Sequence, residues 1–309
     1  MNSTRPDSTP EVNAAPQLKS RALSPVDRVV FGYLAYIPLV VLVLGRPLAD
    51  YSDVFLKNSL VAVAVALIVR FLPLGRHRLT DIIRLVYPAL LFGYFYNQTG
   101  GLMRLVYPEF FDSWFVGWEA GVIGANPTLW LDRSFLGTGG APWVTELLSM
   151  CYFSYYIMFP ATLIPLLVLK RYRLTQEILT AVLITFAVSF NLFWFFPLEG
   201  PRWHFAEVYQ YDITGAFFRP LVDFVIANGA VRGGCMPSTH TGVALVVLVY
   251  LYREYRKWFW VALPLVIGIG LGAVYGRFHY ATDISVGAAI AAVCVWFTIR
   301  FYPRWASPT

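Results

Sequence analysis

The sequence is divided into long, almost uncharged apolar stretches, and this one property removes most folds otherwise open to 309 residues. Eight stretches stand out: 29–45, 59–75, 82–97, 147–169, 178–197, 238–252, 258–275 and 283–299. Each is about as long as a helix must be to cross a hydrocarbon core of roughly 30 Å, where backbone polar groups have to be satisfied within the segment. The third is short and contains Pro88. Only 14% of the residues are charged and 58% are hydrophobic, whereas a soluble domain carries about 25% charge. The expected fold class is all-α, a polytopic membrane helix bundle of about eight transmembrane helices.

The net charge of +6 invites a nucleic-acid partner, but the basic residues flank the apolar stretches as topology signals do. The expected partner is the lipid bilayer, with no nucleic acid. With the N-terminus in the cytoplasm, 16 of the 24 Lys and Arg residues fall in inner segments. That bias puts both termini in the cytoplasm and segments 98–146, 198–237 and 276–282 on the far side. Residues 1–25, rich in Pro, Ser and Asn, read as a disordered cytoplasmic tail. No small-residue cleavage site follows Val29 to Gly45, so that stretch reads as a retained span. Cys151 and Cys294 lie in apolar stretches and Cys235 in a loop, which argues against a disulfide framework. Between the third and fourth stretches Trp114, Trp118 and Trp130 mingle with acids, a composition that fits one or two helices lying in the headgroup layer.

Polar residues gather where the last four stretches turn. The fifth ends in Gly200-Pro201-Arg202-Trp203-His204, and the sixth opens with Pro237-Ser238-Thr239-His240. The seventh and eighth are joined through Arg277, His279 and Asp283. If these four helices alternate, all three clusters reach one face of the membrane. The sixth stretch, from Ser238 to Tyr252, would rise only about 22 Å, so its polar end sits at the depth of lipid phosphates. Pro237 before Ser238 marks a helix start with Ser238 as N-cap, and the N–H groups of such an end suit a phosphate. His279 and Asp283, four residues apart, share a helical face if the helix extends back that far, and the acid would orient the ring. Arg202 and Arg277 offer permanently charged forks for phosphate oxygens. Together these groups point to phosphoryl transfer.

The blocks Pro237-Ser238-Thr239-His240 and His279-Tyr280-Ala281-Thr282-Asp283, in this order and about one helical hairpin apart, resemble the signature of the type 2 phosphatidic acid phosphatase superfamily. Two departures are informative. The usual Lys before an Arg-Pro pair is missing, and Gly200-Pro201-Arg202 stands in its place. Ala273 occupies the position six before His279, where an Arg is usual, and Arg277 lies two before instead. Both departures, with Phe111-Asp112 and Asn126-Pro127-Thr128, look like the inositol phosphorylceramide synthase branch. The resemblance implies a six-helix core within a catalytic domain over 81–302, preceded by two helices over 26–80 and followed by a short tail over 303–309. It implies His279 as nucleophile, Asp283 as its orienting acid and His240 as acid and base. Arg202, Arg277, Ser238, Thr239 and Gly200 would hold phosphoryl oxygens. No metal and no cofactor is required. The donor would be a phospholipid or lipid phosphate, and the acceptor a lipid alcohol such as a ceramide. With water as acceptor the same residues make a phosphatase. A transporter would line the span centres with charge, whereas here charge collects at the edges.

Overall fold

The structure, a computed structural model, describes residues 23–44, 52–74 and 77–306. Twelve α-helices carry the fold: α1 Pro25–Leu44, α2 Ser52–Phe71, α3 Arg78–Gly101, α4 Asp112–Ile123, α5 Pro127–Trp130, α6 Pro142–Val168, α7 Tyr172–Phe195, α8 Pro201–His204, α9 Phe218–Gly229, α10 Thr239–Glu254, α11 Arg256–Tyr275 and α12 Ala281–Trp305. No strand occurs among the described residues. Six of these helices, α1, α2, α6, α7, α11 and α12, are long and apolar enough to cross a membrane. The protein is an all-α, multi-pass integral membrane bundle. The other two expected spans also form helices, but α10 has only 16 residues and α3 is interrupted by polar side chains.

α7 is the central post. It packs against α1, α3, α6, α10 and α12, while α10 is wrapped by α6, α7, α11 and α12. A helix buried from all sides in a lipid environment must satisfy its own hydroxyls. Thr175, Thr180 and Thr185 of α7 do so by donating to carbonyls one turn back, at 3.1, 2.7 and 2.8 Å. α2 sits at the periphery and turns Leu56, Leu60, Val63 and Leu67 outward along one stripe. An exposed apolar stripe of this kind fits acyl chains rather than water.

The N-terminal pair is fastened by charge. Asp27 of α1 is completely buried and receives both Arg84 guanidinium nitrogens from α3, at 2.6 and 2.8 Å. It also accepts from the Tyr87 hydroxyl and, at 2.7 Å, from that of Ser24. Boundaries differ a little from expectation. α1 already opens at Pro25, α3 at Arg78 ahead of 81, and α12 runs past 302 to Trp305 before ending at Ala306. Of the tail expected over 1–25, residues 1–22 lie outside the described residues, as do residues 307–309 of the C-terminal tail.

The expected interfacial helices are present as α4 and α5, and a π-turn over Leu131–Phe135 and a 3₁₀ turn over Leu136–Thr138 extend α5. An element not expected from the sequence, α9, lies against α6. Its first turn is held by Glu146, which accepts the Phe218 N–H at 2.7 Å.

Replacing Arg84 with Ala should lower stability by about 3–5 kcal/mol, because it strands the buried Asp27 carboxylate. The Arg84→Ala, Asp27→Leu double variant should recover most of that loss. Thermal unfolding in detergent measures both.

Candidate active site

Each of the two histidines is set by a helix start. Ser238 caps α10 by accepting the Thr241 N–H at 3.4 Å, and its hydroxyl donates to Thr241 Oγ1 at 3.2 Å. His240 is therefore the second residue of α10, fixed by the first turn. On the other chain segment, α11 ends in a tight turn in which Phe278 and His279 both donate N–H to the Ala273 carbonyl, at 2.9 and 3.2 Å. Arg277, at φ 66°, makes that turn. Tyr280 is then the N-cap of α12 and donates its N–H to Asp283 Oδ2 at 2.9 Å.

The two starts are tied directly: the Ser238 N–H donates to the Asp283 carbonyl at 3.1 Å. They can approach because position 287 is glycine. A Cβ there would collide with the Ser238 carbonyl oxygen. The imidazoles of His240 and His279 consequently lie with ring centroids 6.1 Å apart and planes at 62°. His279 Nδ1 is 3.4 Å from Asp283 Oδ2, a contact that does not involve its Nε2. The expectation of a shared helical face is corrected here. α12 begins at Ala281, so His279 reaches Asp283 across the turn before the helix.

Around His240 stands a group of tyrosines from α6. The Tyr156 and Tyr152 hydroxyls lie 3.4 and 3.5 Å from His240 Nε2, and the Tyr155 ring centroid is 4.5 Å from the imidazole. Nδ1 of His240 is buried and has no hydrogen-bond partner among the described residues. Their signal in the sequence is three phenols within five residues of one helix.

The expected phosphate contacts separate into two groups. The Arg202 guanidinium has no carboxylate partner among the described residues and lies over the Trp203 ring, 5.2 Å from its centroid. Thr239 follows the cap and is buried. The other three are occupied. Gly200, at φ 97°, donates its N–H to Asp112 Oδ1 at 2.9 Å, and a Cβ at this position would come within 3.0 Å of Cys235 Sγ. Gly200 is therefore a close-approach residue, not a free amide. The Ser238 hydroxyl is used by its own cap. Arg277 donates to Asp132 Oδ1 at 2.7 Å and to the Tyr211 carbonyl, and lies 3.8 Å above the Tyr209 ring. A further cation, Arg219 of α9, sits 5.6 Å over the Phe278 ring next to His279.

Three buried acids of the interfacial segment hold the site's outer wall. Asp112 accepts the Glu199 N–H at 2.6 Å, the Gly200 N–H and the Tyr280 hydroxyl at 2.7 Å. Glu119 accepts from the N–H and the hydroxyl of Thr282, at 3.0 and 2.8 Å, at the start of α12. Asp132 adds the Gln210 and Tyr211 amides to its Arg277 contact, at 3.0 and 3.3 Å. Burial raises the Glu119 carboxyl above its usual range, although the Thr282 contacts pull it back. Burial also pushes the Arg277 guanidinium down, against Tyr209 and Asp132, and moves the Tyr209 phenol up to about 12.

Cys235 Sγ, a His279 ring nitrogen and an Asp283 oxygen lie within 4.8 Å of one another, a set able to hold a soft divalent ion. Burial and the neighbouring Asp283 carboxylate raise the Cys235 thiol well above its ordinary range, so it would have to lose a proton against that charge before it could bind metal.

A family profile described as the PAP2 superfamily matches residues 118–297, a stretch that begins within α4 and contains His240, His279 and Asp283. No curated protein and no solved structure matches the chain.

Asp112→Ala would leave two backbone amides and a phenol without their acceptor, at about 1–3 kcal/mol for each group that stays buried. In detergent, tryptic cleavage after Arg202 should accelerate at least tenfold in this variant, by about the factor one such unpaired group implies. Removing the solvent-exposed Asp53 carboxylate should leave that cleavage unchanged.

Proposed function

The chain belongs to the PAP2 superfamily, and from that membership we propose that it is a lipid phosphotransferase working through a phosphohistidine. The observation that carries this reading is the approach of two imidazoles, one of them backed by a buried carboxylate. In the first half-reaction His279 Nε2 attacks the headgroup phosphorus of a phospholipid. The bond from phosphorus to the lipid alkoxide breaks, and His240 gives that oxygen its proton. The headgroup phosphate stays on His279. In the second half-reaction His240 takes a proton from the hydroxyl of a lipid alcohol such as a ceramide. The freed oxygen attacks phosphorus, and Nε2 leaves as neutral imidazole. Asp283 keeps the Nδ1 proton in place throughout.

Positive charge for the phosphoryl oxygens comes first from Arg202, the candidate whose guanidinium has no carboxylate partner. Arg277, held by Asp132, acts on the wall of the site, and Arg219 approaches from α9. The reaction needs no metal ion. Acceptor choice rests on the departures from the phosphatase signature, Gly200-Pro201-Arg202 and Arg277, which favour transfer in the manner of inositol phosphorylceramide synthases over hydrolysis. The distribution of Lys and Arg supports a site facing the extracytoplasmic side with both termini in the cytoplasm.

Purified protein incubated with radiolabelled phospholipid and quenched in base should retain acid-labile label. His279→Ala should abolish that label and lower turnover by roughly 10³-fold or more; full labelling of this variant removes His279 as the nucleophile. Adding ceramide should yield a new phosphodiester, and turnover should persist in excess EDTA. Release of the phosphorylated headgroup to water with every acceptor tried would identify a phosphatase instead.

A further inference from the structure

The buried carboxylate behind His279 has a second side-chain donor that the mechanism above does not use. Cys235 comes from the loop before α10 and is 3% exposed. Its Sγ lies 2.8 Å from Asp283 Oδ2, the same oxygen that faces His279 Nδ1. Its two other neighbours are farther, His279 Nδ1 at 3.8 Å and the Phe278 carbonyl at 3.6 Å. The nearest acceptor is also the charged one, and hydrogen bonds to charged groups are the stronger kind. We propose that Cys235 is a positioning residue of the active site, whose thiol donates to Asp283 Oδ2 and fixes the carboxylate in the plane that serves His279.

The need for such a residue follows from how Asp283 is held. Oδ1 has no hydrogen-bond partner among the described residues, so nothing on that side prevents rotation about the last side-chain bond. On Oδ2 the Tyr280 N–H supplies one fixed direction, and the His279 contact at 3.4 Å is long. The thiol supplies a second fixed direction, and two directions define the carboxylate's orientation. Burial and the carboxylate itself keep the thiol protonated, as a donor must be. The loop is built to bring it there. Gly200 leaves no Cβ, which would otherwise lie 3.0 Å from Cys235 Sγ. The Leu198–Gly234 backbone bridge pins the residue before it. Cys235 is a free thiol, so a disulfide does not explain its placement.

The inference rests on the proposed phosphohistidine chemistry, and one set of variants separates the two. Cys235→Ala should lower kcat about three- to tenfold, the range of one ordinary hydrogen bond as suits a weak thiol donor, with the lipid KM unchanged. Cys235→Ser keeps a donor in the same place and should return kcat to within about twofold of wild type. A residue that merely fills space would show the opposite pattern: Ala and Ser would behave alike, with changes confined to thermal stability. Unchanged kcat in Cys235→Ala, or equal losses in Ala and Ser, overturns the role given to Cys235. Full activity of His279→Ala would instead overturn the reaction on which it depends. If Cys235→Ala does not accumulate as folded protein, Cys235→Thr decides: its hydroxyl preserves a donor and predicts kcat above that of Cys235→Val, which matches it in shape.

Discussion

A carboxylate with no solvent exposure, set at the headgroup end of a membrane bundle, has to be surrounded by donors or it cannot remain charged. While Oδ1 has no hydrogen-bond partner among the described residues, Oδ2 of Asp283 meets that condition with groups from three places in the chain. They are the N–H of Tyr280 at the start of α12, the imidazole of His279 in the turn after α11, and the thiol of Cys235 in the loop before α10. Its own carbonyl in turn accepts the Ser238 N–H. One residue thereby ties together both helix starts that carry a histidine. The histidines approach each other because Asp283 holds His279 through its side chain and the start of α10 through its carbonyl, and the missing Cβ at Gly287 lets the two helices come near enough for this to happen.

The same logic repeats one layer farther out. Loop amides around Glu199, Gly200, Gln210 and Tyr211 belong to no helix or sheet, and in a water-poor headgroup layer they need acceptors. Asp112 and Asp132 supply them, while Glu119 serves the first turn of α12. The segment from α4 to the 3₁₀ turn is therefore more than an interfacial anchor. Its aromatic side faces outward at Trp114 and Trp118, while its acids turn inward and hold the loops and the start of α12.

What could be read from the sequence was what is local. The Ser238 cap connects positions three apart, and the His279–Asp283 spacing survives even though a turn, not a helix, makes the contact. The apolar stretches predicted the long helices because lipid imposes one solution on each of them. What could not be read were partners far apart in the chain. Gly200 and Asp112 are 88 residues apart, and Arg277 and Asp132 are 145 apart. An acid within an aromatic run carries no local mark that distinguishes solvation of a surface from service to a buried amide. Arg277 illustrates the consequence, since its charge and position suggested a phosphate, yet a carboxylate of this chain already holds it. Arg202 had the same signal and has no such carboxylate among the described residues.

The depth of the site follows from α10. Its far end is marked by Arg253 and Glu254, which meet Glu177 in the first turns of α7 and Arg171 just before that helix, charged groups that belong at a membrane surface. From there 16 residues rise about 24 Å, several ångströms less than a hydrocarbon core of roughly 30 Å. The Ser238 end accordingly stops below the opposite surface, with His240 in its first turn and tyrosines of α6 on its flank. A phosphorus atom anchored by its own acyl chains already resides near that level. A soluble phosphate ester would have to leave water to reach it. Under the proposed reaction this depth would favour a lipid over a soluble ester before any contact with a headgroup is made, and the same recess would limit the access of water to a phosphorylated His279.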